Sequence, residues 1–372
     1  MKKIFFLGLF TIFLNIISCS KTDKKEHISD NNTSQIRYAK GFQISNIGEI
    51  QKITIKAPYQ NSSEVFDYFF SIKKISKNDI QIPISKIVVT STTHIPMIEM
   101  LQEESSIIGF PISNFISSEK TRQRVASGFI KEIGKEGLLN TETLLDLEPE
   151  LVVGYSVSTT DKSLEIIKKA RIPVIYNGDW LEETPLGRAE WIQFFGVLFN
   201  KQKMADSIFK TIEKEYLETK QIALKSDKKS TVFSGAVMSK DIWNLPAGES
   251  FVAQFLADAN LDYLWKTSKG KGSLSLSFES VFEKAKNADF WIAPGYFLSK
   301  EQLLKSNALY AEFAAFKKDK IYTPTTKKGK TGGVIYYELA PTRPDLVLKD
   351  LIKITHPALL PNYKLTFFEK MQ

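Results

Sequence analysis

The chain has 372 residues, of which 43% are hydrophobic and 25% are charged, with one cysteine, three histidines and a net charge of +8. This apolar content excludes low-complexity disorder, because the chain can bury a sizeable core. A single thiol excludes a disulfide scaffold, and so few Cys and His argue against a metal cage built from these residues. The length predicts two domains or one large domain.

The first 35 residues indicate an export signal followed by a tether. A cationic start at Lys2 and Lys3 precedes an apolar run over residues 4–17, and Cys19 directly follows the small residue Ser18. This arrangement resembles a bacterial lipobox, so residues 1–18 are predicted to be a lipoprotein signal peptide. Cys19 would then carry the lipid, and the polar residues 19–35 would form a flexible tether. The alternative is an ordinary signal peptide with an incidental cysteine.

The positive charge of the mature chain does not indicate nucleic-acid binding. Removing Lys2 and Lys3 with the signal lowers the net charge from +8 to +6. The remaining lysines are scattered and mixed with acids, without a dense basic stripe interleaved with aromatic residues. We therefore interpret this charge as an ordinary solvated surface, with a mild preference for anionic ligands.

Short β-branched runs alternate with helical patterns in the first half of the mature chain. Strands are predicted over residues 86–90, 106–110, 151–155 and 172–176, and helices over 95–101, 138–147 and 164–170. Near-continuous apolar strands separated by helices favour a parallel sheet covered on both faces. Earlier alternating runs at 51–55 and 68–70 are predicted to form an antiparallel addition to the edge of that sheet.

The pattern changes after residue 188. One amphipathic helix is predicted around Trp191 and Leu198, then a long helix over 201–225 of about 37 Å. Alternation resumes with strands at 230–233, 289–294 and 320–323 and helices at 251–259 and 279–286. We therefore predict an α/β lobe at 36–186, a connecting helical segment at 187–228 and a second α/β lobe at 229–372. The alternative is one domain that the long helix covers.

Two segments resemble a known family. Residues 88–94 (VVTSTTH) and 140–153 (NTETLLDLEPELVV) are similar to substrate-binding lipoproteins of ABC importers for ferric siderophores, haem and vitamin B12, the class III periplasmic binding proteins. Glu150 stands where Asp is usual, and residues 344–357 are similar to members from Bacteroidetes. The resemblance runs from about residue 84 to 361. It implies two Rossmann-like lobes with mostly parallel sheets, joined by one long rigid helix, with the ligand in the cleft between them.

Two acidic residues occupy equivalent places in the two lobes. Glu142 follows Asn140 and Glu279 follows Ser277, each at a predicted helix start. An acid in the first turn stabilises a helix by up to about 1 kcal/mol, and this effect by itself would explain the position of either glutamate. In the resembling family, one glutamate on each lobe pairs with arginines of the membrane permease. The resemblance therefore implies that Glu142 and Glu279 dock the permease.

The ligand cleft is expected where strands end and helices begin. Aromatic side chains offer flat apolar area to a macrocycle or a catecholate, and an arginine offers a planar fork to an anionic chelate. Each aromatic candidate could instead pack in a core, His94 could be a helix-start residue, and Arg343 could cap the final helix. The candidates are Thr92, Thr93, His94, Trp180, Trp243, Tyr336, Tyr337 and Arg343.

The predicted function is that of a monomeric periplasmic lipoprotein that captures an iron complex and delivers it to an ABC permease and its ATPase. The positive charge favours a ferric siderophore, and haem and cobalamin stay open. The protein is expected to be neither an enzyme nor the holder of a cofactor or metal site of its own. Two alternatives are an exported α/β hydrolase using His94, although no Gly-x-Ser-x-Gly motif is found, and a bare-metal-ion binding protein.

Overall fold

A computed structural model describes residues 36–135, 138–156, 162–239 and 241–372. The predicted signal peptide, Cys19 and the tether up to residue 35 lie outside the described residues. Within the described part of the chain, no helix has the length and apolar character needed to cross a membrane.

The described residues form short strands and helices that alternate along most of the chain. The strands are β1 (Phe42–Ile47), β2 (Ile50–Lys56), β3 (Val65–Ser71), β4 (Ile80–Gln81), β5 (Ile87–Val89), β6 (Ile107–Phe110), β7 (Lys131–Glu132), β8 (Gly134–Lys135), β9 (Leu138–Leu139), β10 (Leu151–Gly154), β11 (Val174–Tyr176), β12 (Thr231–Ser234), β13 (Ala236–Ser239), β14 (Ile242–Pro246), β15 (Asp262–Tyr263), β16 (Ser273–Ser277), β17 (Phe290–Ile292), β18 (Ile321–Thr323) and β19 (Glu369–Lys370). The α-helices are α1 (His94–Met100), α2 (Glu119–Ala126), α3 (Thr141–Leu147), α4 (Lys162–Lys169), α5 (Pro185–Glu190), α6 (Ile192–Leu198), α7 (Gln202–Ala223), α8 (Phe251–Asp258), α9 (Phe278–Ala285), α10 (Lys300–Ser306), α11 (Ala314–Lys317), α12 (Ile335–Leu339) and α13 (Pro344–Thr355).

Two five-stranded sheets organise the molecule, and we call the parts of the chain built around them the first and the second lobe. The first sheet has the order β11-β10-β5-β6-β7, and all of its strands are parallel. The second has the order β15-β12-β17-β18-β19, and only β19 runs antiparallel. The predicted α/β class with mostly parallel sheets is confirmed. The boundaries at residues 186 and 229 stay a prediction.

The central strands of the first sheet are buried on both faces. Ile87, Val88 and Val89 have no exposed surface, and they alternate between two apolar clusters. Ile87 and Val89 pack in the cluster that contains α1 and α6, whereas Val88 packs with residues of α3 and α4. Successive side chains of a strand point to opposite faces, so helices cover both sides of this sheet.

The N-terminal strands form a separate sheet, in contrast to the predicted extension of the first sheet. Strands β1 to β4 pair in chain order, and this four-stranded unit is called the added sheet below. Its apolar face brings Ile53 and Ile55 into the core beside Trp191. The Tyr68 hydroxyl of β3 accepts a hydrogen bond from the backbone N–H of Tyr176 on the edge strand β11, at 3.3 Å. Short turns favour local hairpin pairing, and the added sheet lies beside that edge instead of continuing it.

The connecting segment between Pro185 and Ala223 consists of three helices, with breaks at Trp191 and at residues 199–201. Helix α6 corresponds to the helix predicted around Trp191 and Leu198, whereas α5 was not predicted. The long helix α7 has 22 residues, which corresponds to about 33 Å. Its N-terminal half places Phe209 and Ile212 in the core of the first lobe, and its C-terminal half places Tyr216 and Ala223 in the core of the second. The helix therefore links both cores rigidly.

Candidate functional site

The carboxyl ends of both parallel sheets line one cleft. In the first lobe, residues 90–92 follow β5, Tyr155 follows β10 and Gly178 follows β11. In the second lobe, Ser234 ends β12 and Ile292 ends β17. Side chains and loops at this edge of a parallel sheet are free to contact a ligand, because the helices cover the two faces. Three connected cavities occupy the cleft.

The inner cavity has a volume of about 270 Å³ and is mostly apolar. Phe251, Phe255 and Leu256 of α8 form one wall, and Tyr336 and Tyr337 of α12 form another. Two pairs of these rings are held by packing, since Phe251 meets Phe255 edge-on and Tyr336 meets Tyr337 in the same way. Burial raises the pKa of both tyrosine hydroxyls to about 12, so both are protonated at neutral pH. The cavity thus offers rigid aromatic surface with neutral hydroxyl groups.

Arg188 of α5 supplies the positive charge of the inner cavity. Its guanidinium carbon lies 3.7 Å from the centroid of the Phe251 ring, and the guanidinium donates to the backbone oxygen of Trp180. No carboxylate forms an ion pair with it within the described residues. Burial lowers the pKa of Arg188, and the nearby Asp179 partly opposes that effect. An arginine pKa stays far above neutrality, so a cation that contacts no carboxylate of the described residues within ion-pair distance lies between apolar walls. Such a cation attracts an anionic ligand.

The side cavity, of about 410 Å³, lies between the lobes next to the inner one. Thr92 and Tyr155 line it from the first lobe, and Tyr296 and Tyr337 line it from the second. Tyr337 borders both cavities and is 44% exposed, and its ring lies 6.5 Å from that of Tyr296. Thr93 lines the inner cavity, and its hydroxyl donates to Asp179 at 2.6 Å.

The outer chamber, of about 810 Å³, extends from the inner cavity toward the surface. Trp180 lines it, and the buried indole nitrogen of that residue has no hydrogen-bond partner among the described residues. The chamber is also lined by residues 270–273 of the second lobe, by Lys56 at the end of β2 and by residues 57 and 59–61 of the loop that follows. The cleft is therefore bounded by three parts of the chain.

Three of the predicted cleft residues lie elsewhere. His94 has no exposed surface, packs against Phe195 with ring centroids 5.5 Å apart, and has a pKa lowered by burial. Trp243 is equally buried and stacks on Trp291 at 5.4 Å inside the core of the second lobe. Arg343 is committed to the buried Asp345, with two hydrogen bonds of 2.9 and 2.7 Å.

These positions have simple physical reasons. The indole of Trp243 donates to the carbonyl of Ser234 at 3.0 Å, so the core satisfies its polar atom. Arg343 directly precedes α13 and pairs with Asp345 in the first turn of that helix, but its side chain caps no backbone N–H of the helix. His94, Trp243 and Arg343 therefore lie outside the lining of the three cavities. Thr92, Thr93, Trp180, Tyr336 and Tyr337 do lie together in the cleft.

Sequence reasoning missed Arg188 and Phe251. Arg188 is one of two charged residues in the stretch from Pro185 to Leu198, which is otherwise buried and nearly all apolar. A charged residue inside such an apolar run is a signal that could have identified Arg188 as a functional candidate. Phe251 begins an ordinary amphipathic helix, and nothing in its local pattern distinguishes it from a core residue.

A second region where the lobes meet lies beside the side cavity, and we call it the interlobe seam. Glu338 of α12 is 2% exposed and accepts hydrogen bonds from the backbone N–H groups of Ser117 and Ser118, at 2.6 and 2.8 Å. Burial raises the pKa of Glu338 to about 7, and the nearby Glu99 adds to this shift. Gly333 faces the carbonyl of Phe115 so closely that a methyl group would overlap it.

The two acids singled out for docking are both exposed and stand at helix starts, one in each lobe. Glu142 lies in the first turn of α3, where Asn140 accepts from the Thr143 N–H at 3.1 Å. Glu279 lies in the first turn of α9, where Ser277 caps at 3.2 Å. Asn140 and Ser277 cap their helices, so the two carboxylates are not needed as caps and are free to contact a partner.

Comparison with known proteins identifies the family. The model of the periplasmic binding protein family matches residues 87–327. An uncharacterized lipoprotein of Methanocaldococcus jannaschii is 24% identical over all of this chain and 97% of its own length. A second lipoprotein of that organism is 23% identical over 96% of both chains.

Solved structures share the fold at low identity. A possible iron-binding, periplasmic solute-binding protein of Staphylococcus epidermidis has a TM-score of 0.58 at 18% identity and covers 74% of this chain and 100% of its own. The periplasmic heme binding protein HutB of Vibrio cholerae has a TM-score of 0.55 at 16% identity, covering 71% and 99%. CeuE of Helicobacter pylori, solved with Ni(II) bound, has a TM-score of 0.57 at 19% identity, covering 77% and 88%.

These matches also answer the enzyme alternative, because the family consists of solute-binding proteins and His94 is sealed in the core. Two lobes with parallel sheets, a rigid helix between them and a family match over most of the described residues lead to one conclusion. The chain belongs to the periplasmic binding protein family.

Proposed function

We propose that this protein is the substrate-binding lipoprotein of an ABC importer and that it carries an iron complex in the cleft between its lobes. The observation that carries this proposal is the inner cavity, where the unpaired Arg188 lies among Phe251, Tyr336 and Tyr337. Aromatic walls suit the flat apolar surface of a chelate or macrocycle, and the arginine suits its negative charge. A ferric siderophore is favoured over cobalamin, which lacks a comparable net anionic charge, and haem is the second candidate.

The family relatives support an iron complex as cargo. The Staphylococcus epidermidis structure is described as possibly iron-binding, and the Vibrio cholerae structure as heme-binding. A bare metal ion is disfavoured, since no group of three or more His, Cys, Asp or Glu within the described residues could hold one. Oxygen and nitrogen ligands of the metal would therefore come from the chelator.

Intrinsic tryptophan fluorescence tests the cargo. Trp180 lines the outer chamber, so a coloured chelate bound in the cleft should quench its emission. Ferric catecholates, ferric hydroxamates, haem and cobalamin are titrated at micromolar concentration into protein without its lipid. We expect saturable quenching by at least one ferric chelate or by haem, and an absence of quenching by all of them contradicts the proposal.

Arg188→Gln is the variant that tests the role of the cavity. Losing a charge-assisted contact of about 1.5–3 kcal/mol should weaken the binding of an anionic chelate by about 10-fold or more. Arg171→Gln is a matched control, because Arg171 is exposed and lines none of the three cavities. Equal affinities of the two variants would place the ligand elsewhere.

We further propose that Cys19 anchors the protein to the cell-envelope membrane on its periplasmic side. The Methanocaldococcus relatives are also named lipoproteins, which supports an exported and acylated chain. Replacing Cys19 by Ser should release the mature protein into the soluble periplasmic fraction and abolish labelling by a fatty-acid analogue. Retention in the membrane fraction would contradict acylation at this residue.

Glu142 and Glu279 are proposed to dock the permease through its arginines. Both carboxylates are exposed, and each stands on a helix of a different lobe. Replacing both by Ala should abolish uptake while chelate affinity in vitro stays unchanged. A loss of affinity would assign these acids to the ligand site instead.

A further inference from the structure

The outer chamber adjoins the inner cavity. Arg188, Pro246, Phe251 and Val252 line both spaces. The inner cavity holds about 270 Å³, whereas the outer chamber holds about 810 Å³. A ligand whose core fills the inner cavity therefore has room for an appendage in the chamber, and this appendage would pass directly beside Arg188.

One wall of the chamber comes from the added sheet, which precedes the segment matched by the family model. Lys56 ends β2, and the loop over residues 57–61 follows it. The loop is held by its own hydrogen bonds, from the Ala57 N–H to the Glu64 oxygen at 2.9 Å and from the Ser62 N–H to the Tyr59 oxygen at 3.1 Å. Its backbone packs against Gly178, so the wall is preformed.

The carboxylates of the chamber are satisfied from within the protein. Glu183 pairs with Lys40 at 3.2 Å and with Lys271 of the second lobe. Glu249 accepts from the Gly270 N–H at 3.0 Å and lies 3.5 Å from a lysine. These acids are consequently neutralised before any ligand enters.

The third acid of the chamber is held by the backbone. Glu182 accepts from the N–H groups of Lys40 and Gly41 and from the Trp191 indole, at 2.8 to 3.0 Å. Burial raises the pKa of Glu182, and the three N–H donors oppose that effect. Lys56, in contrast, has no ion pair in the described part of the chain. The chamber thus presents a surplus of positive charge through Lys56 and Arg188.

We infer that the outer chamber is a second subsite of the ligand cleft, which takes an anionic appendage of the chelate, and that Lys56 selects for that appendage. The inference rests on the proposed function and refines it. The cargo is a chelate with an apolar or aromatic core and at least one acidic side arm. The added sheet selects for the acidic side arm of the chelate, while the two lobes bind the core of the chelate.

Matched probes isolate this selection. N-succinyl and N-acetyl ferrioxamine B share one iron core, and only the succinyl form carries a terminal carboxylate. Haemin and its dimethyl ester form a second pair, in which only haemin carries two free carboxylates. Affinities are measured by fluorescence quenching for the unaltered protein, Lys56→Gln and Lys52→Gln. Lys52 is the matched control, since it lies on the same face of β2, pairs with Asp67 at 3.0 Å and lines none of the cavities.

We expect the unaltered protein and Lys52→Gln to prefer the acidic member of a pair by about three- to five-fold, the range of a partly exposed ion pair. In Lys56→Gln this preference should fall to about one, while the neutral member binds as before. An equal loss for both members, or no preference in the unaltered protein, overturns the inference and leaves the proposed function standing. If neither pair nor any other chelate binds, the proposed function itself fails.

Discussion

The interlobe seam predicts that the stability of this protein depends on pH through one carboxyl group. Glu338 is buried between the lobes and accepts two backbone N–H groups at 2.6 and 2.8 Å. Burial raises its pKa from an ordinary value of 4.5 to about 7. The folded protein therefore keeps a proton on Glu338 over a pH range in which the unfolded chain has already released it.

The sign of the effect follows from this proton. Below pH 4.5 both states are protonated, and Glu338 contributes no pH dependence. As the pH rises toward 7, unfolding releases a proton, so the folded state loses stability relative to the unfolded state. Raising the pKa from 4.5 to about 7 corresponds to roughly 3.5 kcal/mol, at about 1.4 kcal/mol for each tenfold change in proton affinity, and most of this stability is lost between pH 5 and pH 8.

The perturbation is Glu338→Gln, which removes the titration and keeps the side chain's shape. An amide has one acceptor oxygen, so one of the two N–H groups loses its partner at a cost of about 1–3 kcal/mol at every pH. The variant should therefore be less stable than the unaltered protein at pH 5. Between pH 5 and pH 8 the difference should move by about 2–3 kcal/mol in favour of the variant.

Urea titrations at pH 5 and pH 8 measure this difference in the free energy of unfolding. Glu119→Gln is the control, because it removes an exposed ion pair with Lys330 across the same seam. It should change stability by less than about 1 kcal/mol at either pH. If the difference between Glu338→Gln and the unaltered protein stays constant within about 0.5 kcal/mol, the reasoning from burial is refuted.

Three further substitutions test one residue of the core, one at the start of α13 and one in the interlobe seam. Trp243→Ala should lower the free energy of unfolding by about 3–5 kcal/mol, with chelate affinity of the folded protein unchanged; a selective loss of affinity would return Trp243 to the cleft. Arg343→Ala leaves the buried Asp345 without its partner and should destabilise by about 3–5 kcal/mol in the same denaturation assay, whereas a purely ligand-directed role predicts no such change. Gly333→Ala places a methyl group against the carbonyl of Phe115 and should hold the lobes apart. Fluorescence quenching by the chelate should then be weaker, and solution scattering should give a larger radius of gyration. If neither value changes, the interlobe seam accommodates the methyl group without opening the cleft.

Local patterns in the sequence are sufficient to predict the class of the fold and many of its helices and strands. Buried strands such as Ile87–Val89 and the amphipathic pattern of α7 are local signals, because each depends on residues within a few positions of one another. The helix starts at Asn140 and Ser277 are equally local, since a cap needs only the residue and the N–H groups just after it. The ends of the predicted helices and strands therefore agree with the structure to within a few residues, whereas β13, β14, β16, α2, α5 and α10 were not predicted.

Which polar and aromatic residues face the cleft depends instead on contacts between distant parts of the chain. His94 and Thr93 are neighbours in the chain, yet one is sealed against a phenylalanine and the other lines the inner cavity. Arg188 and Phe251 are 63 positions apart, and they meet because α5 and α8 pack together. Lys56 reaches the cleft because the added sheet lies beside the edge strand β11. These contacts between distant residues depend on how whole helices and strands pack together. The local periodicity of the sequence does not contain that information.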